Sequence, residues 1–206
     1  MVYVLCAVLG YLLGSFPTGY LVGKHQNIDI RKHGSGNIGT TNALRVMGLR
    51  AAAVTFIGDS MKCILALTVA YYLGRHFGVN LRVLEVFTTL FVILGHDYPA
   101  PLKFKGGKGI AATAGFLLFF DYRMMLIELI VFLLVLIFTR YVSLGSLCVS
   151  VLLPIGLAVF YHKDPGFWIM FGISVIICLL AFLRHKDNIR RLLAGTENKF
   201  GEHAKD

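Results

Sequence analysis

Residues 124–139 read M-M-L-I-E-L-I-V-F-L-L-V-L-I-F-T, and residues 167–183 read F-W-I-M-F-G-I-S-V-I-I-C-L-L-A-F-L. Runs so long and so poor in charge would aggregate in water, and they approach the roughly 20 apolar residues that a helix needs to cross hydrocarbon. The whole chain agrees with them. Its 206 residues are 57% hydrophobic and 15% charged, with mean hydropathy +0.73, where a soluble domain carries about 25% charged residues. The sequence therefore predicts an all-α integral membrane protein, a polytopic bundle forming one domain over residues 1–206.

Hydropathy places seven membrane helices at about 2–22, 51–74, 83–100, 107–120, 124–139, 144–161 and 166–184. The fourth is short of a full span and is expected to gain length from Gly106–Gly109 or to be buried among its neighbours. Gly14, Pro17, Pro154, Gly156 and Gly172 fall inside these segments, as bundles tolerate. The first run lacks a basic leader and Lys24 follows it, so it reads as a retained span and not a cleaved signal.

The loops alternate in charge. One side carries Lys24, Arg31, Lys32, Arg45 and Arg50, then Lys103, Lys105 and Lys108, then Arg140, then Arg184, Lys186, Arg190, Arg191, Lys199 and Lys205. The other carries Arg75, Arg82, Arg123 and Lys163. The rich side belongs in the cytoplasm, which puts the N-terminus outside. The net charge of +9 is thus a membrane-surface and anion-binding feature, not a nucleic-acid footprint.

The glycine-rich motifs all fall on the rich side. G-S-G-N-I-G-T-T-N-A-L-R at 34–45 offers backbone N–H groups from Gly34, Gly36 and Gly39, donors from Ser35, Asn37, Thr41 and Asn42, and a terminal Arg45, a composition suited to wrapping an anion. A flexible loop is the plainer alternative. The spacing matches a dinucleotide fingerprint, but no strand precedes it and no βαβ unit exists. If a helix starts near Thr40, Thr41, Asn42 and Arg45 share one face near its N-terminus. F-K-G-G-K-G at 104–109 is not a nucleotide-hydrolysing loop, which would need glycine at 102 and serine or threonine at 109. Gly106, Gly107 and Gly109 before an apolar helix nevertheless free N–H groups beside Lys108, although a basic membrane anchor would also explain the lysine. His185 and Asn188 share a helical face within R-H-K-D-N-I-R-R at 184–191, a stretch that alone could be a basic stop. Ser143 reads as a helix cap or a ligand. Asp59 and Lys62, three apart inside the second span, predict an internal ion pair. G-H-D-Y-P at 95–99 predicts a turn, with His96 near the site. Glu128 has no evident role.

Cys6, Cys63, Cys148 and Cys178 lie far apart in apolar stretches and read as reduced core residues. There is no zinc-spaced Cys/His cluster, no H-E-x-x-H, no H-x4-D base and no G-x-S-x-G elbow. No metal or cofactor is expected.

Together with G-S-F-P-T-G-Y at 14–20 and R-Y-V-S-L at 140–144, these motifs resemble the bacterial membrane acyl-phosphate:glycerol-3-phosphate acyltransferases, the PlsY family, over nearly the whole chain. Thr40, where alanine is usual, and Cys63, where glycine is frequent, are mild departures. The resemblance implies acyl transfer from acyl-phosphate to the 1-hydroxyl of glycerol 3-phosphate, releasing lysophosphatidic acid and phosphate, as the first step of phospholipid synthesis. It implies a functional link to the enzyme that makes acyl-phosphate. Arg45, Lys108, Ser143, His185 and Asn188 would hold glycerol 3-phosphate, and the first motif would hold the acyl-phosphate head. Ser35, Asn37, Thr41, Lys108 and His185 are the expected catalytic groups, with Gly34, Gly36, Gly39, Asn42, Arg45, Gly106, Gly107, Gly109, Ser143 and Asn188 binding substrate. Acyl-phosphate is an activated donor, so no covalent nucleophile is required, and the donor's own phosphate is expected to take the acceptor's proton. A transporter of a phosphorylated metabolite is the alternative, since broken helices also bind anions there.

Overall fold

The computed structural model describes residues 1–201; Lys205, counted above with the basic side, lies outside them. The described residues form ten α-helices and no strand. In chain order they are α1 (Val2–Gly14), α2 (Thr18–His25), α3 (Thr40–Met47), α4 (Leu49–Phe77), α5 (Leu81–Asp97), α6 (Ile110–Phe120), α7 (Tyr122–Thr139), α8 (Val142–Tyr161), α9 (Phe167–Arg184) and α10 (Lys186–Leu193). Each expected span coincides with a helical segment. Five of these segments are long and apolar enough to cross a membrane: Val2–His25, Leu49–Phe77, Tyr122–Thr139, Val142–Tyr161 and Phe167–Arg184.

The differences from the expected spans have local causes. The first is not continuous: α1 stops at Gly14 and α2 restarts at Thr18, because Pro17 has no N–H to give and its ring excludes the preceding turn from the helix. α5 stops at Asp97, ahead of Pro99 and Pro101. α6 has only 11 residues, since Gly109 at φ +77° breaks the helical path before Ile110, and at about 1.5 Å per residue it covers roughly half of a bilayer core.

Close backbone approach holds the bundle together. A Cβ on Gly14 would strike the Val92 carbonyl, and one on Gly95 would strike Tyr11, so α1 and α5 touch main chain to main chain. Gly115 of α6 meets the Ser60 backbone of α4 in the same way, and Ser60 Oγ donates to the Ala111 carbonyl at 2.9 Å. Small residues at crossings of this kind are how apolar helices associate without a hydrophobic drive. Phe116, Leu67, Leu153, Leu157 and Met170 fill the centre. The expected ion pair is present: Lys62 Nζ lies 2.9 Å from Asp59, donates to His96 Nδ1 at 2.8 Å and reaches the Phe16 carbonyl at 3.1 Å in the α1–α2 break. α7 is the peripheral helix, with 11% of its apolar window buried.

Candidate active site

The first glycine-rich loop is organised by one amide. Asn42, 2% exposed on α3, donates to the carbonyls of Asn37 (2.8 Å), His33 (3.1 Å) and Ile30 (3.3 Å), and its Oδ1 accepts from Ser35 N at 2.9 Å. Gly34 and Gly36 take φ of +59° and +70°, the left-handed turns that this path requires. α3 does start at Thr40, but Asn42, expected to face the ligand, is committed to the loop. Ser35 and Thr41 are exposed and Gly36, Asn37 and Gly39 half-buried, which leaves the rim of the loop open.

The second loop is fixed from below and from the side. Gly107 N donates to the His96 carbonyl at 2.9 Å and Gly106 N to the Asp97 carbonyl at 3.1 Å, so these two N–H groups, expected to be free beside Lys108, are spent inside the protein. A Cβ on Gly107 would overlap the His96 ring, so His96 is the floor of this loop. From the side, Arg184 Nε and Nη2 donate to the carbonyls of Gly107 (2.9 Å) and Gly106 (3.0 Å), while its guanidinium lies 5.0 Å over the Tyr98 ring. Asn37 Nδ2 donates to the Gly106 carbonyl at 3.3 Å, tying the first loop to the second.

The third cluster closes on the same place. Lys108 Nζ hydrogen-bonds Asn188 Oδ1, and Asn188 Nδ2 donates to Glu197 Oε1 at 2.7 Å. Ser143 Oγ donates to the same oxygen at 3.0 Å, and Arg191 Nε donates to Oε2 at 2.7 Å. Burial pushes the Lys108 ammonium down to about 8, against the raising effect of Glu197. Burial, with Lys108 nearby, holds His185 down at about 4. His185 Nδ1 lies 2.7 Å from the Ala181 carbonyl. A carbonyl only accepts, so Nδ1 carries the proton and the neutral ring offers Nε2 as an acceptor.

The structure thus joins Asn37, Gly106 and Gly107 in one hydrogen-bonded network and Lys108, Ser143 and Asn188 in a second; the two meet at the Gly107–Lys108 peptide, with His185 beside them. Thr41 and Arg45 share a face of α3, yet no side-chain hydrogen bond among the described residues links them to the second loop. Two participants were not assigned a role from sequence. Arg184 sat inside the third motif but was indistinguishable from a basic stop. Glu197 had one signal, an isolated acid following the basic run and the Gly195 turn.

An apolar cavity of about 240 Å³ opens beneath the loops. It starts at Lys108 and Gly109, runs along Thr113, Ala114 and Leu117 of α6, and is walled by Met125, Glu128, Leu129 and Phe132 of α7, Val149 and Leu153 of α8, and Ile177 and Ala181 of α9. Glu128 Oε1 is buried in its wall without a hydrogen-bond partner.

A helical membrane bundle with cationic, glycine-rich loops at the mouth of an apolar cavity defines a class of protein that handles amphiphilic anions. The family model of glycerol-3-phosphate acyltransferases matches residues 4–195, and the chain belongs to that family. It is 40% identical over 203 residues to the glycerol-3-phosphate acyltransferase of Thermoanaerobacter sp. (strain X514), covering 98% of each chain. It is 39% identical to that of Clostridioides difficile (strain 630), covering 97% of this chain and 96% of the relative. It also superposes on a crystal structure of PlsY (YgiH), an integral membrane glycerol 3-phosphate acyltransferase, in its glycerol 3-phosphate form. There the TM-score is 0.87 at 32% identity, covering 98% of this chain and 96% of that one. The lysophosphatidic acid form of the same protein gives a TM-score of 0.82 at 31% identity, with the same coverage.

Proposed function

We propose that this protein transfers a fatty acyl group from acyl-phosphate to the 1-hydroxyl of glycerol 3-phosphate, giving lysophosphatidic acid and inorganic phosphate. One observation carries the reading: Lys108 stands where the cationic loops meet the mouth of the apolar cavity. The site therefore suits a ligand with an anionic head and a hydrocarbon tail. The tail lies along α6 and α7. The phosphate head rests on the open rim of the first loop, at the Gly34 N–H with Ser35, Asn37 and Thr41; Gly36 N and Gly39 N, expected to serve it, instead donate within the loop to the His33 carbonyl (3.0 Å) and Asn37 Oδ1 (2.8 Å).

Glycerol 3-phosphate occupies the neighbouring side, bounded by Arg45, Lys108, Ser143, His185 and Asn188. The cations offset repulsion between the two phosphates, and the loops hold hydroxyl and carbonyl in register, which supplies much of the rate when the donor is already activated. The C–O bond forms as the hydroxyl attacks the acyl carbon, and the carbonyl–phosphate bond breaks. The departing phosphate keeps the electron pair and takes the hydroxyl proton. His185 Nε2 accepts a hydrogen bond from the acceptor and orients it. The loops face the cytoplasm of a bacterial cell, the N-terminus faces outside, and one domain does the chemistry.

The deciding experiment supplies detergent-purified protein with labelled glycerol 3-phosphate and, separately, acyl-phosphate, acyl-CoA and acyl carrier protein thioester. Lysophosphatidic acid is expected from acyl-phosphate alone and is lost in Lys108→Ala. Binding of glycerol 3-phosphate without product from any donor would replace this reading with the transporter.

A further inference from the structure

Glu197 is a buried carboxylate inside the site for which the proposed reaction has no use. It is 8% exposed and is carried there by the segment after α10. Gly195 turns at φ +68°, and Thr196 N bonds the Arg191 carbonyl at 2.8 Å. Further on, Phe200 N bonds the Arg140 carbonyl at 2.7 Å and Arg140 Nη2 returns a bond to the Phe200 carbonyl at 2.8 Å. The segment is stitched to α10 at one end and to the α7–α8 turn at the other, with Glu197 between the stitches.

Proton counting sets what its partners can do. A serine hydroxyl has one proton, and a carboxylate can only accept. With that proton on Glu197 Oε1 at 3.0 Å, Ser143 meets a ligand with lone pairs only. It cannot donate to a phosphate, but it can accept from a hydroxyl. Asn188 is oriented by the same carboxylate: with Nδ2 on Glu197, Oδ1 faces the Lys108 ammonium. The opposite amide orientation would set two donors against each other.

We infer that Glu197 is a positioning residue of the acceptor site: it makes Ser143 an acceptor for a glycerol hydroxyl and locks Asn188 onto Lys108. This rests on the acyltransferase reading and deepens it. Phosphate recognition then falls to the cations, and recognition of the glycerol portion falls to Ser143 and His185, both acceptors. Ser143 and Asn188 leave the set of direct phosphate ligands.

The test compares two ligands by titration calorimetry on detergent-purified wild type, Glu197→Gln, Glu197→Asp and Glu197→Ala, with melting temperature as a control for folding. For Glu197→Gln, affinity for glycerol 3-phosphate should fall about tenfold, the scale of one hydrogen bond to a charged group. Affinity for inorganic phosphate, which has no glycerol hydroxyl, should change less than about twofold. Glu197→Asp should recover part of the loss, and adding Ser143→Ala to Glu197→Gln should cost little more, because the two act through one contact. Equal losses for both ligands would make Glu197 a scaffold residue only and overturn the inference. No loss for either ligand would also overturn it. Tighter binding of both would overturn it as well, making Glu197 an internal anion that substrate must displace. Because the titration needs no turnover, a wild type inactive with every acyl donor would sink the acyltransferase reading while the ligand comparison still judged this one.

Discussion

The guanidinium of Arg184 donates to the Gly107 carbonyl at 2.9 Å across 77 positions of sequence, so the end of α9 sets the height of the loop that opens α6. The planar fork reaches two successive carbonyls from two nitrogens held at a fixed spacing, which a single ammonium nitrogen does not reproduce. We predict that Arg184→Lys lowers kcat about tenfold or more with a melting temperature close to wild type, the scale expected for a loop left slightly misplaced. Steady-state kinetics with acyl-phosphate check this, and an unchanged kcat would remove Arg184 from the positioning of the loop.

Gly107 has no room for a side chain above His96, whereas a Cβ on Gly172 of α9 meets nothing within 4 Å. Gly107→Ala should abolish most acyl transfer, and Gly172→Ala should keep full activity. The paired assay is decisive because both are single methyl additions to the same bundle.

The ion pair under the loops is a buried one, and removing a single partner of such a pair typically costs about 3–5 kcal/mol. Lys62→Met should therefore lower thermal stability in detergent strongly, and Asp59→Leu combined with it should restore part of the loss. If the double variant melts no higher than Lys62→Met, charge pairing is not what holds this region.

Two titrations should be visible. Lys108 is a cation below about 8, so kcat/KM for glycerol 3-phosphate should decline above that pH, and Lys108→Arg should move the decline upward. His185 titrates near 4 when folded, against an ordinary 6.5. Above 6.5 both folded and unfolded chains hold it neutral. Between 6.5 and about 4 only the unfolded chain takes the proton, so stability falls as pH drops through that window. His185→Gln should flatten that loss and, if the ring only orients the acceptor, raise KM more than it lowers kcat. A loss confined to kcat, with an altered pH limb, would make His185 the base.

Ala114 lines the apolar cavity beyond the loops. Ala114→Phe should shorten the acyl chain that is accepted, reducing turnover of long acyl-phosphates while sparing short ones. A chain-length profile identical to wild type would place the tail elsewhere.

Much of this was legible in the sequence because it depends on local composition. Hydropathy alone located the apolar helical segments, though not the polar α3 and α10, and the glycine runs located both loops. What could not be read depends on contacts between distant residues. Pro17 looked like a tolerated irregularity, yet the structure uses the break it makes to present the Phe16 carbonyl to Lys62. Asn42 looked like a ligand because its residue type suits both ligand and scaffold, and only the four loop partners assign it to scaffold. Glu197 acquires meaning only once the segment after α10 folds back onto the α7–α8 turn. Arg184 needed its carbonyl partners on the second loop to stand apart from the neighbouring arginines.

The exposure of α7 has a further consequence. One flank of that helix walls the cavity, and most of the rest of its surface belongs to the surrounding lipid. On the proposed reaction the product is itself a lipid, and the partition between workplace and destination is a single helix thick. On that reading delivery would need neither a pore nor a carrier: a newly made molecule would have one hydrocarbon wall to pass, with the membrane as the solvent that extracts it.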